Sequence, residues 1–245
     1  SKQIPKSAGE FNPIAEAQEN CLCLTLTLCD SDLPEVLECL FSHLEKPEVS
    51  RLAPCWFFLN YSKNGASEIR LRLLDIAAAD KNVLLASFSD LFCQEALDWK
   101  AVSYFPESSK YGVKDLKISH RLFHLESKFL ASKTRGNLHM NCSSSEKESL
   151  IIRMWTSLFT QSPNYMQLFE ELKNDVKTMP SNQVCIYKAA FNYVSKVEKE
   201  CFPKTLYLNK FHSHEYFNTK GESGILFLLN HLHMMINRFF PLQTQ

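Results

Sequence analysis

Glycine is scarce in this chain, with six residues in 245 against ten prolines. A phosphate-cradling loop needs several glycines close together, and none of GxGxxG, GxxxxGK[ST] or GxSxG occurs. Nucleotide-binding enzymes of the standard types are therefore disfavoured. Net charge is also missing: 27 basic residues balance 27 acidic ones, so no whole-protein field draws in nucleic acid. No apolar run approaches the ~20 residues of a membrane-spanning helix. The polar, basic stretch Ser1 to Gly9 has no apolar signal core behind it, so a soluble, cytoplasmic protein is expected. Nine cysteines are an odd number, without a CxxC or a paired Cys/His spacing. Several, such as Cys39, Cys93 and Cys185, lie inside apolar runs. Reduced, buried thiols fit better than disulfides or a structural zinc.

What remains is ordinary globular material, 45% hydrophobic and 22% charged, which argues against disorder and suits one large domain. Residues 1–20 read as a flexible N-terminal arm and 21–240 as a single domain. Over 21–28 the chain alternates, Leu22, Leu24, Leu26 and Leu28 on one side and Thr25 and Thr27 on the other, which predicts a half-buried strand. Ser31 or Asp32 caps the next helix, Pro34 falls in its first turn, and its apolar face runs to about Lys46. A second strand covers 55–61. Lys63-Asn64-Gly65 provides a turn, and 68–73 returns as a third strand. Asp80 caps a helix to about Leu97, and 99–105 is a fourth strand.

This β-α-β-β-α-β order is ferredoxin-like. The third strand is expected at an edge beside the first, with the fourth at the opposite edge. From Val113 onward the pattern is helical, with candidates at 114–131, 147–160, 164–178, 183–201 and 222–240. The fold class is α+β: a ferredoxin-like sheet part (21–106) followed by a helix-rich half (113–240).

Three groups of residues could carry chemistry. Arg70 and Arg72 project to one side of a strand, about 6.5–7 Å apart. A guanidinium pair suits a carboxylate or phosphate, and the plain structural alternative is an exposed face paired to Glu68. The run Pro106-Glu107-Ser108-Ser109-Lys110-Tyr111-Gly112 follows the fourth strand at a sheet edge, where sites often form, or is simply a polar turn. On the last helix, His233, Asn237 and Arg238 lie within one or two turns of one another. A histidine there suits proton transfer, or packs in the core with its nitrogens satisfied. His212 with His214, and His120 with His124, have spacings that can hold a metal. The first pair lacks an obvious third ligand and the second lacks an HExxH-type glutamate, so no metal is expected.

Taken in order, these segments resemble the C-terminal elimination domain of nisin-type lanthipeptide dehydratases, which also occurs as a free-standing protein of thiopeptide biosynthesis. The matching stretches are Trp56-Phe57-Phe58-Leu59-Asn60-Tyr61, Glu68-Ile69-Arg70-Leu71-Arg72, Pro106-Glu107 through Tyr111-Gly112, Phe123-His124-Leu125-Glu126-Ser127, and His233-Met234-Met235-Ile236-Asn237-Arg238. The resemblance implies work on a ribosomal precursor peptide, leader plus dehydrated core, without a cofactor. By motif match it implies that Arg70, Arg72 and Glu107 hold a glutamyl group and that His233 works in proton transfer. For ring closure His233 is the expected catalytic residue with Glu107 or Tyr111 as assistant, and Arg70, Arg72, Glu68, Lys110, Asn237 and Arg238 are the expected substrate-binding residues. Two activities belong to the family. One removes glutamate from a glutamylated Ser or Thr, leaving dehydroalanine or dehydrobutyrine. The other joins two dehydroalanines in a formal aza-[4+2] cycloaddition, closing a pyridine macrocycle with loss of water and leader.

Departures from the family pattern favour the second activity. Asn60 stands for an arginine, Glu68 for a histidine, Lys110 for an arginine and Val113 for a glycine. Lys110 keeps the charge but loses the forked guanidinium and Asn60 loses the charge altogether, changes that a site gripping a glutamyl carboxylate tolerates poorly. The chain also reads as a lone domain without a glutamylation module. A leader-peptide-binding module without catalysis is the remaining alternative. Other biosynthetic enzymes and a second copy of the chain are compatible partners; a membrane and nucleic acid are not expected ones.

Overall fold

Alternation along β1 (Cys21–Cys29) gives the strand two unlike faces. The computed structural model, which describes residues 20–63, 66–106, 116–134, 230, 231, 234, 235, 238, 242 and 243, builds both layers of the fold on that difference. A 3-10 turn (Asp30–Asp32) leads into α1 (Leu33–Leu44), with Pro34 in the first turn, where its missing N–H costs little. Then come α2 (Pro47–Leu52), β2 (Cys55–Lys63) and β3 (Ala66–Leu74). A second 3-10 turn (Ala78–Asp80) precedes α3 (Lys81–Gln94), followed by β4 (Asp98–Val102) and α4 (Leu116–Thr134). A two-residue strand, β5 (Leu242–Gln243), lies near the carboxyl end. The expected flexible arm and the helices at 147–160, 164–178 and 183–201 lie outside the described residues. Within 222–240, the described residues Asn230, His231, Met234, Met235 and Arg238 are helical.

The sheet has the order β4-β1-β3-β2-β5, antiparallel except for the short parallel pairing of β5 with β2. The α+β, β-α-β-β-α-β reading holds, but the expected position of the third strand does not. β3 is an interior strand between β1 and β2. The tight β2–β3 connection pairs those two strands from Lys63–Ala66 onward, so β1 must take the other side of β3. Arg70 and Arg72 therefore sit in the middle of the sheet.

Helix ends also differ from expectation. Asp32 and Asp80 precede their helices without a side-chain capping bond, because each already has helical backbone angles (φ −90, ψ −11 and φ −90, ψ −14) as the last residue of a 3-10 turn. α3 stops at Gln94 rather than near Leu97. Leu97 N–H reaches back to the Phe92 carbonyl (2.9 Å) and Ala96 N–H to Cys93 (3.3 Å), a closure that puts Ala96 at φ 53. The last predicted strand ends at Val102, where its pairing with β1 ends opposite Cys23.

One sheet face is the main core. Leu24, Leu26, Ile69, Leu71, Leu73 and Phe58 are each fully buried there, and α1 and α3 cover them with Leu37, Leu40, Phe41, Leu84, Phe88 and Phe92. Each such side chain contributes roughly 1.5–3 kcal/mol when removed from water. Phe41 stacks on Trp56 at 5.9 Å and packs on Phe58 at 5.2 Å. His43 Nε2 and Ser87 Oγ, 2.9 Å apart, tie α1 to α3.

Beyond the β2–β3 pairing, the outer edge of β2 is covered by side chains. His124 Nδ1 lies 3.1 Å from the Trp56 amide and 2.9 Å from its carbonyl, so one tautomer accepts from the N–H and the other donates to the oxygen. Phe58 N–H donates to Ser127 Oγ (3.3 Å), and Arg238 Nε donates to the Phe58 carbonyl (3.2 Å). Edge groups that would otherwise recruit another strand are thus occupied.

Candidate functional site

The opposite sheet face is polar at its centre. Strand register sets Lys100, Thr25, Arg70 and Leu59 in one row across β4, β1, β3 and β2, and Val102, Cys23, Arg72 and Phe57 in the next. Because side chains alternate along β3, the buried Leu71 between the arginines points to the core while both guanidiniums point to this face.

The two arginines are held differently. Arg70 Nε pairs with Glu68 Oε1 at 2.5 Å, and its guanidinium lies 4.3 Å from the centre of the Tyr61 ring. This pair is open to water, with the Arg70 side chain 42% and Glu68 25% exposed. Arg72 sits between aromatic rings, 4.7 Å from Tyr104 and 5.5 Å from Phe57. Its Nε is buried without a hydrogen-bond partner. Among the described residues no carboxylate pairs with it. A half-buried guanidinium supported by π faces and lacking an oxygen partner is a ready donor to an oxygen-bearing ligand.

Two adjoining cavities open on this face. The larger, about 320 Å³, is lined by Cys23, Thr25, Glu68, Arg70, Arg72, Lys100, Ser103, Tyr104 and neighbouring apolar groups. The smaller, about 200 Å³, runs beneath Arg70 and Arg72 between Phe57, Tyr61, Tyr104, His120, Phe123 and Met234. In the smaller, Tyr104 Oη and His120 Nε2 are 2.8 Å apart, and Phe57 packs 5.6 Å from the His120 ring. Burial, aided by the nearby Arg72 charge, pushes His120 down to about 4 against a weaker opposing pull from Asp75, so its ring is neutral near pH 7. In the larger, a hydrogen bond with Cys21 and the Arg72 guanidinium hold the Cys23 thiol below its usual range, against the effect of burial; the same hydrogen bond pushes Cys21 up.

A second polar cluster lies off the cavities. Glu126 on α4 is fully buried and pairs with Arg238 (Oε2–Nη1, 2.6 Å), while His231 Nδ1 lies 3.8 Å from its other oxygen. Burial pushes His231 down, partly offset by Glu126. The Phe123-to-Ser127 stretch and the Asn237-Arg238 stretch, read separately in the sequence, meet here: Glu126 and Ser127 from one, Arg238 from the other, all at the edge of β2.

Of the residues singled out from sequence, Glu68, Arg70 and Arg72 come together on one face, with Met234 from the carboxyl-terminal helical residues lining the same smaller cavity. Arg238 is 1% exposed and committed to Glu126 and the Phe58 carbonyl; it does not line either cavity. Glu107, Lys110, Tyr111, His233 and Asn237 lie outside the described residues, as do His212 and His214. His120 and His124, one helical turn apart, are engaged with Tyr104 and Trp56 respectively. The Tyr104–His120 contact has no local signal in the sequence: the strand pattern points to β4, but nothing nearby says that the segment after it meets α4.

A family model described as lantibiotic biosynthesis dehydratase C-term matches residues 23–245. The chain belongs to that family. Among solved structures the chain is similar to the tRNA dependent lantibiotic dehydratase MibB from Microbispora sp. 107891, at 15% identity and a TM-score of 0.54. The alignment covers 98% of this chain and 27% of that one, so the chain spans about a quarter of MibB's length. At that identity the likeness concerns the fold. No curated protein matches the sequence. No helix among the described residues is long and apolar enough to cross a membrane.

Proposed function

We propose that this member of the family is a pyridine synthase: it closes a macrocycle from two dehydroalanines of a ribosomal precursor peptide by formal aza-[4+2] cycloaddition, with loss of water and leader. The carrying observation is the Arg70–Glu68 pair. Glu68, standing where the family has histidine, neutralises one of the two central arginines. A free glutamyl carboxylate entering this face meets a carboxylate already bound, and like charges at that range repel. A neutral dehydrated peptide meets no such penalty. Arg72 then serves the amide oxygen whose negative charge grows as the amide tautomerises. His233, one residue before Met234 in the chain, with Glu107 and Tyr111, supplies proton transfer in this reading. Lys110, Asn237 and Arg238 keep their resemblance-based assignment to substrate binding; for Arg238 that role is indirect, through β2.

Glutamate elimination is the second reading, and Arg72 favours it: a guanidinium without an oxygen partner among the described residues suits a carboxylate. Mass spectrometry separates the two. A multiply dehydrated precursor that loses water and leader amide and closes a ring supports the synthase. Release of glutamate from a glutamylated precursor, without ring formation, moves the assignment to elimination.

A further inference from the structure

The smaller cavity contains a hydroxyl–imidazole pair to which no role has been given. Tyr104 stands two residues past β4 and His120 on the first turns of α4, sixteen residues apart, yet Oη and Nε2 are 2.8 Å from each other in a buried position. Tyr104 is 7% and His120 5% exposed, and both line the cavity shared with Arg72 and Met234. The Arg72 guanidinium lies 4.7 Å from the Tyr104 ring centre, between that ring and Phe57.

A phenol used only for packing gains little from this arrangement. A positive charge over the ring favours the phenolate, and a fixed imidazole sets the direction of the hydroxyl. Desolvation keeps that imidazole neutral near pH 7, so it holds the hydroxyl in either tautomer without adding a second cation beside Arg72. Tyrosine, cation and histidine line one small cavity, which brings a proton donor, a proton acceptor and a positive charge together.

We propose that Tyr104 is a proton-transfer residue of this cavity and that His120 positions its hydroxyl. The inference rests on the cyclisation reading for its detailed step. The reacting amide must become its iminol tautomer. Tyr104 gives its phenolic proton to the amide oxygen while the amide nitrogen returns a proton to the phenolate oxygen. The Oη–H and N–H bonds break, a substrate O–H bond and a new Oη–H bond form, and no proton is gained or lost. Arg72 stabilises the charge that passes between the two oxygens, and His120 keeps Oη aimed at the substrate. Under the elimination reading, Tyr104 ionised beside Arg72 takes the α-proton: the Cα–H and Cβ–O bonds break, an Oη–H bond and the Cα=Cβ double bond form, and glutamate leaves as its carboxylate.

The test uses the full chain with two substrates, a multiply dehydrated precursor and a glutamylated one. Which product the wild type makes decides between the two readings, independently of this inference. On whichever substrate the wild type turns over, Tyr104→Phe, which keeps the ring over Arg72, should lower kcat by on the order of 10²–10⁴-fold with little change in KM. His120→Leu should lower kcat less and move the same pH limb. If Tyr104→Phe fails to fold by circular dichroism, 3-fluorotyrosine at position 104 replaces it. Its more acidic phenol should move a limb of the kcat–pH profile to lower pH, which a packing role would not do. Wild-type kcat in Tyr104→Phe, or an unmoved pH profile in the fluorotyrosine protein, overturns the proposal. A folded wild type inactive on both substrates overturns the reading beneath it and the inference with it.

Discussion

The two faces of this one sheet are made from the same strands and do opposite things. On the α1–α3 face every central position is apolar and inaccessible, Leu24, Leu26, Phe58, Ile69 and Leu71 among them. One residue along each strand, the side chains are Thr25, Arg70, Arg72 and Lys100, and the space above them is partly empty. Apolar burial is concentrated on the first face and charge on the second. The pleat separates them: alternate residues cannot share a face, so charge can be added to the site without entering the core.

The sharpest way to break this contrast is to cut into each face in turn. Leu71→Ala should cost ~2–5 kcal/mol in urea unfolding, since it leaves a void in a filled core. Its neighbour Arg70→Ala should cost no more than about 1 kcal/mol, because its ion pair is water-exposed, while turnover falls. Equal costs at the two positions would show that the polar face is structural after all.

The next effect comes from proton linkage. His120 titrates at about 4 in the fold, below its ordinary 6.5. The unfolded chain therefore binds the proton more readily. Its contribution to stability is complete above pH 6.5 and is lost as pH falls from 6.5 toward 4, on the order of 3 kcal/mol in all. Urea unfolding between pH 7 and 4 should show this slope, and His120→Gln should flatten it. A variant with the wild-type slope would place the titration elsewhere, among His43, His124 and His231, which burial also pushes down.

The smallest effect lies outside both faces and calibrates the others. Ala96 takes a left-handed conformation (φ 53) to close α3, a position where glycine avoids the Cβ clash. Ala96→Gly should stabilise the fold by about 1 kcal/mol and raise Tm without altering activity. A lowered Tm would mean that the alanine methyl makes a contact worth more than the strain.

Much of this was legible in the sequence, and the residues show where reading stopped. The alternation of β1 and β3 gave both faces, and with them the common direction of Arg70 and Arg72, because period two is a local property. The position of β3 within the sheet differs from the expected edge, since strand order is not local. Nothing within a few residues of Arg238 reports that its partner is Glu126, 112 positions earlier. The same holds for Tyr104 and His120: each was visible, but their meeting depends on where α4 crosses the end of the sheet. The short α2 was missed because one apolar residue, Val49, is all it buries.

The outer side of β2 carries a consequence for how the molecule is made. Its backbone is satisfied by His124 and Ser127, 68 and 69 positions downstream of their partners, and by Arg238, 180 positions downstream of Phe58. A ribosome releases β2 long before it releases Arg238. During that interval the strand has a bare margin, ready to accept any extended chain nearby. The seam along β2 is therefore closed by residues made long after the strand itself, and a product stopped after β4 would keep the α1–α3 side of its core yet stick to its neighbours.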